Sequence, residues 1–305
     1  MKTTLTTLIS ALCLSVAFAG QQSAPPSPTK APEKTELSAE KLMEMTQDAR
    51  CKQILVTGLI NGQPVKLMLD TGATHTVLHT GSAEKLKGVQ WIDTSALLFR
   101  GNSSQRPKML IASLQVGPGE TPTHPIIVMD LSGVRSMMAE PDTLDGIVGM
   151  DLLSSLPFVF DFAKKEYYWG MPKRGPLVKL EGDRDASGRL TFPVTSGDKT
   201  FKLLLDTGSS ITRIQKANWA PGDGEMIAAQ ISDVDATARI TTLEGKAGPL
   251  QLAKGVVAEN LTPLLCDDKE ATILGIDALT GTALVHLPIP NEPHGAFFVI
   301  PQKQP

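Results

Sequence analysis

The stretch that decides the fold is Lys66-Leu67-Met68-Leu69-Asp70-Thr71-Gly72-Ala73-Thr74, which the chain nearly repeats as Lys202-Leu203-Leu204-Leu205-Asp206-Thr207-Gly208-Ser209-Ser210. Each copy is a short apolar run that ends in Asp-Thr-Gly. A buried strand can be apolar on both faces, and Asp-Thr-Gly at its end predicts a tight turn in which Asp and Thr bond nearby backbone. One such turn would carry little weight, but two behind similar strands indicate an internal repeat.

A second pair of motifs follows the first in the same order. It consists of Asp145-Gly146-Ile147-Val148-Gly149-Met150-Asp151-Leu152-Leu153 and Ala271-Thr272-Ile273-Leu274-Gly275-Ile276-Asp277-Ala278-Leu279. Both contain two apolar residues, Gly, one apolar residue, Asp and the start of a short helix. Chance is a poor explanation for four motifs that recur in the same order, so the sequence predicts two halves with the same fold.

This paired pattern resembles the aspartic peptidases of the pepsin and retropepsin type, over roughly residues 52–300. The resemblance implies a mostly β, bilobal acid-protease fold, with two β-barrel-like lobes and a cleft between them. Retropepsins carry one lobe per chain and form homodimers, whereas pepsins carry two lobes in one chain. This chain has two, each nearer retropepsin size, so a monomer is expected. The alternative is that each half pairs with its counterpart in a second chain.

The resemblance also implies a set of site residues. These are Asp70 and Asp206 as the catalytic pair, Thr71, Gly72, Thr207, Gly208 and Ser209 as their support, and Gly149 and Gly275 in psi-shaped loops beneath the turns. The threonines are expected to bond across to the opposite lobe, although they could be ordinary turn residues. The glycines would let backbone N–H groups approach the carboxylates.

The implied chemistry is peptide-bond hydrolysis by an activated water, without a metal or a covalent nucleophile. Two carboxylates in contact cannot both ionise, so Asp70 and Asp206 would share one proton. The ionised partner takes a proton from water, and the protonated partner stabilises the developing oxyanion. No cofactor and no metal are expected, and the partner is a polypeptide substrate.

One difference between the turns predicts where that proton lies. The first turn has Ala73 where the second has Ser209, and in pepsin-type lobes a hydroxyl there bonds the outer oxygen of the aspartate. Because such a donor favours the ionised form, the sequence predicts that Asp206 holds the charge and Asp70 the proton.

The candidate flap, the hairpin that closes over substrate in this family, is the polar tip at residues 100–105 within 97–110, including Gly101 and Asn102. Residues 234–237 form a weaker candidate in the second half. The pepsin flap tyrosine has no counterpart, because the only tyrosines are Tyr167 and Tyr168. Because of that departure, a second interpretation stays open, namely a non-catalytic peptide-binding or scaffolding protein with the same fold. The intact acids in both halves argue against it.

Composition and the N-terminus limit the compartment and the partners. The 305 residues are 20% charged and 41% hydrophobic with a net charge of −3, which gives no basic footprint for nucleic acid. Residues 1–19 read as a secretory signal, with Lys2, an apolar middle and the cleavage site Ala17-Phe18-Ala19. The apolar stretch is too short for a membrane span, so the protein is expected to be exported, to the periplasm or outside, and a bacterial envelope would suit it.

The domain plan places a linker and a short N-terminal helix at residues 20–51, the first lobe at 52–173 and the second at 189–305. The helix is expected over 37–49 and could also be a pro-segment that covers the cleft. Asn61-Gly62 predicts a hairpin turn, residues 158–162 and 166–169 a hairpin of the first lobe, and 132–142 an irregular loop.

The remaining candidates have ordinary alternatives. Cys51 and Cys266 could form a disulfide in an oxidising compartment or remain free. His75 and His79 flank the first turn, but no Cys/His set with ligand spacing supports zinc. Asp151 and Asp277 are interpreted as helix caps. Asp145 is discounted as a third acid, because the second half has Ala271 there.

Overall fold

A computed structural model describes residues 44–92, 108–173, 175–219, 227–232, 239–244, 247–266 and 272–301. The architecture is mostly β, as the sequence predicted, and three sheets account for it. Two of them are built from the two halves of the chain, and the third combines strands of both. In the described residues no helix is long and apolar enough to cross a membrane.

The first half forms a closed six-stranded barrel. The sheet of the first half has eight strands, β1 (Met45–Gln47), β2 (Ile54–Ile60), β3 (Gln63–Leu69), β4 (Val77–His79), β5 (Gln90–Ile92), β6 (Lys108–Val116), β7 (Gly119–Met129) and β8 (Gly146–Val148), of which all but β1 and β5 form the barrel. Its helices are α1 (Thr80–Ala83), α2 (Ser132–Met137) and α3 (Met150–Leu153), with a 3₁₀ turn at Pro141–Thr143. The order is β2-β3-β8-β4-β7-β6, and β6 returns to pair with β2. Asn61 and Gly62 make the predicted hairpin turn with φ of 47° and 74°.

The second half repeats this order in a ten-stranded sheet. Three strands, β9 (Phe158–Asp161), β10 (Glu166–Trp169) and β11 (Val178–Lys179), precede this sheet in the chain and belong to the third sheet. The ten strands of the sheet are β12 (Asp183–Arg184), β13 (Leu190–Ser196), β14 (Lys199–Leu205), β15 (Arg213–Gln215), β16 (Ile227–Ser232), β17 (Arg239–Glu244), β18 (Gly248–Ala253), β19 (Val256–Leu261), β20 (Leu264–Cys266) and β21 (Ile273–Leu274). Two 3₁₀ turns lie at Lys216–Asn218 and Ile276–Leu279. Strand β14 pairs in parallel with β21, as β3 does with β8, and β15 pairs in parallel with β20, as β4 does with β7. The repeat therefore extends from the motifs to the strand order.

A third sheet joins the halves. Strands β22 (Thr282–Ile289) and β23 (Glu292–Pro301) of the second half extend the predicted β9–β10 hairpin in the order β10-β9-β22-β23-β11. Its inner face carries stacked Phe158 and Phe160, with ring centroids 4.5 Å apart, and the fully buried Phe297. Because burying aromatic side chains supplies much of the hydrophobic stabilisation of a core, this sheet holds the two halves in one body.

The N-terminal helix prediction is wrong where the structure describes it. Within the predicted range 37–49, Met45–Gln47 is strand β1, which pairs antiparallel with β2 through Met45 and Val56. The edge of β2 offers unpaired backbone groups, and an added strand satisfies them. Asp48 then reverses the chain by accepting the N–H groups of Arg50 and Cys51 at 2.8 and 2.7 Å. The rest of that range lies outside the described residues, as do the signal and linker of residues 1–43.

The prediction of an irregular loop at residues 132–142 is also wrong, because this range contains α2 and a 3₁₀ turn. Asp130 accepts the N–H of Ser132 at 2.9 Å and so satisfies a donor of the first turn. Val134 and Met138 are buried in an apolar cluster with Leu131 and Ile147. Burial of these side chains against distant residues stabilises the helix, which the local composition did not indicate.

Cys51 and Cys266 are both buried, and no disulfide joins them. Of the two alternatives that the sequence left open, the structure therefore shows the unbridged one. Burial, and then the neighbouring Asp48 carboxylate, raise the pKa of Cys51 to about 11. Its thiol contacts the carbonyl oxygen of Met137 and stays protonated at neutral pH.

Candidate active site

Two Asp-Thr-Gly turns, at residues 70–72 and 206–208, end strands β3 and β14 in matching ways. The N–H of Asp70 bonds the carbonyl of Val148 at 3.0 Å, and the N–H of Asp206 bonds that of Leu274 at 3.1 Å. In both cases the bond closes the parallel ladder between the strand and its psi-loop strand. Both aspartate side chains therefore extend from the ends of paired strands and not from free loops.

The structure brings Asp70 and Asp206 together, near enough for each carboxyl group to shift the pKa of the other. Each lies against the glycine of the opposite turn. A Cβ on Gly208 would lie 2.3 Å from Asp70 Oδ2, and a Cβ on Gly72 would lie 2.5 Å from Asp206 Cγ. Only glycine leaves room at these two positions for the carboxyl groups to meet.

Thr71 and Thr207 lock the two turns together through four hydrogen bonds. The Thr71 hydroxyl donates to Leu205 O at 3.0 Å and accepts the Thr207 N–H at 3.1 Å. The Thr207 hydroxyl donates to Leu69 O at 2.8 Å and accepts the Thr71 N–H at 3.1 Å. Both side chains are fully buried, so water does not compete and the bonds fix the spacing of the carboxyl groups.

The psi loops lie directly against the turns. A Cβ on Gly149 would lie 2.7 Å from the backbone of His75, and one on Gly275 would lie 2.6 Å from the backbone of Ile211. The next residues donate N–H bonds to the turn carbonyls, Met150 to Ala73 and Ile276 to Ser209, both at 2.9 Å. The close approach that these bonds need excludes a side chain at either glycine.

Asp151 and Asp277, which the sequence predicted to be helix caps, do not hold the N-cap positions, although each accepts the N–H of the next residue in the first turn. The Asp151 carboxylate accepts the Thr76 N–H at 2.8 Å and the Thr76 hydroxyl at 2.9 Å. Asp277 accepts the same two groups of Thr212, at 2.9 and 2.6 Å. Each aspartate therefore ties a psi loop to the segment that follows its turn, which a reading of the local sequence could not show.

The other acid and the histidines near the first turn have structural partners. Asp145 accepts the Lys66 N–H at 2.8 Å and the Ser82 hydroxyl at 2.7 Å. His75 contacts the Thr74 hydroxyl, and His79 accepts the Leu131 N–H at 3.1 Å. In the described part of the chain, no three His, Cys, Asp or Glu side chains are placed to share a metal ion.

Sequence reasoning missed two residues that reach across the site. Gln53 donates to the carbonyl of Gly208 at 2.9 Å, and Arg189 donates to the carbonyl of Gly72 at 3.3 Å. Each lies 17 positions before the aspartate of its own half, so aligning the halves on Asp70 and Asp206 would have found them. Arg189 is buried and is also bound to Asp185 through Nε at 2.6 Å.

The surroundings of the two carboxyl groups differ. Asp70 Oδ1 accepts the N–H groups of Gly72 and Ala73 at 2.7 and 3.1 Å. Among the described residues, no donor meets the buried Oδ1 of Asp206. The Ser209 hydroxyl donates instead to the carbonyl of Ile211 at 2.9 Å. A charge on Asp70 is therefore better solvated by the protein than a charge on Asp206.

These surroundings favour the opposite of the predicted proton position. Burial raises the pKa of both carboxyl groups, and the N–H donors partly offset that effect at Asp70. The pKa of Asp206 is raised well above its usual range by burial and then by the charge and hydrogen bond of Asp70. They favour the shared proton on Asp206 and the charge on Asp70, because the Ser209 hydroxyl, which was expected to favour the opposite arrangement, donates to the carbonyl of Ile211.

Both flap candidates, residues 100–105 and 234–237, lie outside the described residues. The strands beside them are described, and they pair antiparallel in both halves, β5 with β6 and β16 with β17.

Comparison with protein families agrees with this geometry for the first half. Residues 56–152 match the model of a family described as aspartyl protease. The matched range runs from β2 through the first Asp-Thr-Gly turn to the psi loop and α3, so the likeness covers the first half of the chain. None of the curated proteins compared with the chain matches it.

Proposed function

We propose that the protein is an aspartic endopeptidase that hydrolyses peptide bonds with a water activated by the Asp70/Asp206 dyad. The observation that carries the proposal is the close approach of the two carboxyl groups, each against the glycine of the opposite turn, in turns that the four threonine bonds hold together. A protein that only bound peptides would have no use for two acids in a site that raises the pKa of both.

The environment of each carboxyl group supports a distinct role. Asp70, as carboxylate, removes a proton from the attacking water while the water oxygen bonds to the scissile carbonyl carbon. Asp206, as acid, donates its proton to the carbonyl oxygen, which gives a neutral tetrahedral diol. Asp70 then passes the water's proton to the leaving nitrogen, Asp206 recovers a proton from a hydroxyl, and the C–N bond breaks to give a carboxylic acid and an amine.

The chain supplies both acids, so we expect it to act as a monomer. The sheet formed by β9, β10, β22 and β23 supports that expectation, since strands of the two halves pair there within one chain. The N-terminal signal supports export to a periplasm or beyond, where the substrates would be unfolded or flexible polypeptides.

Digestion of a diverse peptide library tests this proposal, with mass-spectrometric readout and with and without a pepstatin-type inhibitor. We expect internal cleavage that the inhibitor abolishes and that chelators leave unchanged. Peptides that bind but stay intact across the pH range would favour the peptide-binding alternative instead. Sedimentation of active material would separate a monomer from a dimer built by pairing equivalent halves.

A further inference from the structure

Arg213 is a partly buried cation beside the dyad for which the structure gives no ion pair and no hydrogen bond, among the described residues. Its positive charge acts on Asp206, where it lowers the carboxyl pKa against the stronger effects that raise it. It lies on β15, seven positions after Asp206. A guanidinium that is only partly exposed to water can bind a carboxylate well, so Arg213 is able to accept one from a ligand.

The repeat shows what the site has at the equivalent place in the first half. Val77 lies seven positions after Asp70, and it faces Ile147 of the psi-loop strand in the register of β4 and β8. Arg213 faces Ile273 in the same register of β15 and β21. Val77 packs on an apolar cluster together with Ala73, whereas Arg213 stands in the half that has Ser209 instead. The same register position is thus apolar in the first half and cationic in the second.

The direction of the Arg213 side chain follows from the alternation along β15. Ile214 is fully buried inside the second-half core, while Arg213 and Gln215 are only partly buried. Because successive side chains on a strand point to opposite faces, Arg213 points away from that core. Its partner in the strand register, Ile273, directly precedes Leu274, whose carbonyl accepts the Asp206 N–H, so Arg213 lies beside the strand end that carries Asp206.

We propose that Arg213 binds a substrate carboxylate, so that the enzyme prefers peptides with Asp or Glu close to the scissile bond on the side of the second half. This inference rests on the proposed function and names its substrate class. A guanidinium matches a carboxylate with two parallel N–H···O bonds.

The preference also suits the chemistry at the dyad. A substrate carboxylate on Arg213 cancels the cation that otherwise favours ionised Asp206. The acid proton is therefore held more firmly when an acidic peptide is bound. The other charged groups around the dyad, Arg189 with its partner Asp185, lie on the Asp70 side and stay unchanged.

Paired peptides that differ only as Glu or Gln, at each of three positions on both sides of a cleaved bond, test the inference. We expect the wild-type kcat/KM to favour Glu at one position by about 10- to 100-fold, the range of a charge-assisted hydrogen bond. Arg213→Val, which copies the first half, should remove the preference, and Arg213→Lys should restore part of it. Lys254→Ala, an exposed charge on the β18–β19 turn, is the control for net charge.

Two outcomes separate this inference from the proposed function. Equal Glu/Gln ratios in wild type and Arg213→Val, or a uniform fall for all peptides, overturn the role of Arg213 while leaving the peptidase intact. If no peptide is cleaved, fluorescence anisotropy of the same pairs decides: weaker binding of Gln peptides that disappears in Arg213→Val upholds the site. Equal binding by both proteins rejects it.

Discussion

Arg189 donates to the carbonyl oxygen of Gly72, and this peptide unit carries the Ala73 N–H that bonds Asp70 Oδ1. A cation therefore stands behind one donor to Asp70, and it polarises that N–H. In the second half the equivalent bond to Gly208 comes from the neutral amide of Gln53. This pair makes two nearly identical turns electrostatically unequal, with the charge favoured on Asp70.

Exchanging the pair, as Gln53→Arg with Arg189→Gln, should weaken or reverse that inequality. In protein labelled with ¹³C at aspartate Cγ, we expect the chemical shift of an ionised carboxylate to be seen less at Asp70 and more at Asp206. The reason is that the arginine of the exchanged pair then bonds the turn that carries Asp206. Arg189→Gln alone should raise the pKa of Asp70 and move the acid limb of kcat/KM to higher pH. Single Asp→Asn variants assign the resonances. A spectrum with the same ionised carboxyl after the exchange would contradict the assigned role.

Removing either threonine hydroxyl should destabilise the whole molecule. Thr71→Ala and Thr207→Ala each remove one donor and one acceptor between the turns, and a buried group left unsatisfied costs about 1–3 kcal/mol. Urea unfolding measures the loss, and Thr71→Ser and Thr207→Ser, which keep the hydroxyl, are the controls. Alanine variants as stable as the serine ones would show that the bonds contribute nothing.

The dyad should make stability fall as pH rises. The folded-state pKa of Asp206 is raised above its unfolded value, so the folded state binds more protons in the interval between them. The stabilising contribution is complete below the unfolded pKa of about 3.9 and is lost as pH rises through the folded pKa. Asp206→Asn should flatten this decline in urea titrations run at a series of pH values. Parallel curves for wild type and variant would contradict the raised pKa.

Alanine at Gly208 should abolish activity, since its Cβ would lie 2.3 Å from Asp70 Oδ2 and force the carboxyl groups apart. Gly281→Ala is the matched control, because nothing lies within 4 Å of a Cβ there. Peptide cleavage and folding by circular dichroism are the measurements. A folded Gly208→Ala variant with normal cleavage would show that the observed contact between turns is unnecessary.

The sequence predicted the structural features that depend on residues close together in the chain and that the two halves repeat. The turns at Asp70 and Asp206, the Asn61-Gly62 hairpin and the strands around them could be located because turn residues and apolar runs act over a few positions. The mostly β class followed from the same pattern.

What depends on distant contacts was missed. Strand β1 forms only because the edge of β2 accepts it, and α2 forms because Val134 and Met138 find an apolar cluster. The Ser209 hydroxyl has a carbonyl within reach that no sequence pattern reveals. Gln53 and Arg189 were detectable, since their equal spacing from the two aspartates is visible once the halves are aligned.

The central claim, that two acids act as one catalytic unit, is tested most directly by digesting an unfolded protein with wild type, Asp70→Asn, Asp206→Asn and the double variant at equal concentrations. If the acids share one mechanism, each single change should lower the rate by about a hundredfold or more, and the double variant should lose little beyond the worse single one. Cleavage by either single variant at the wild-type rate would contradict the account.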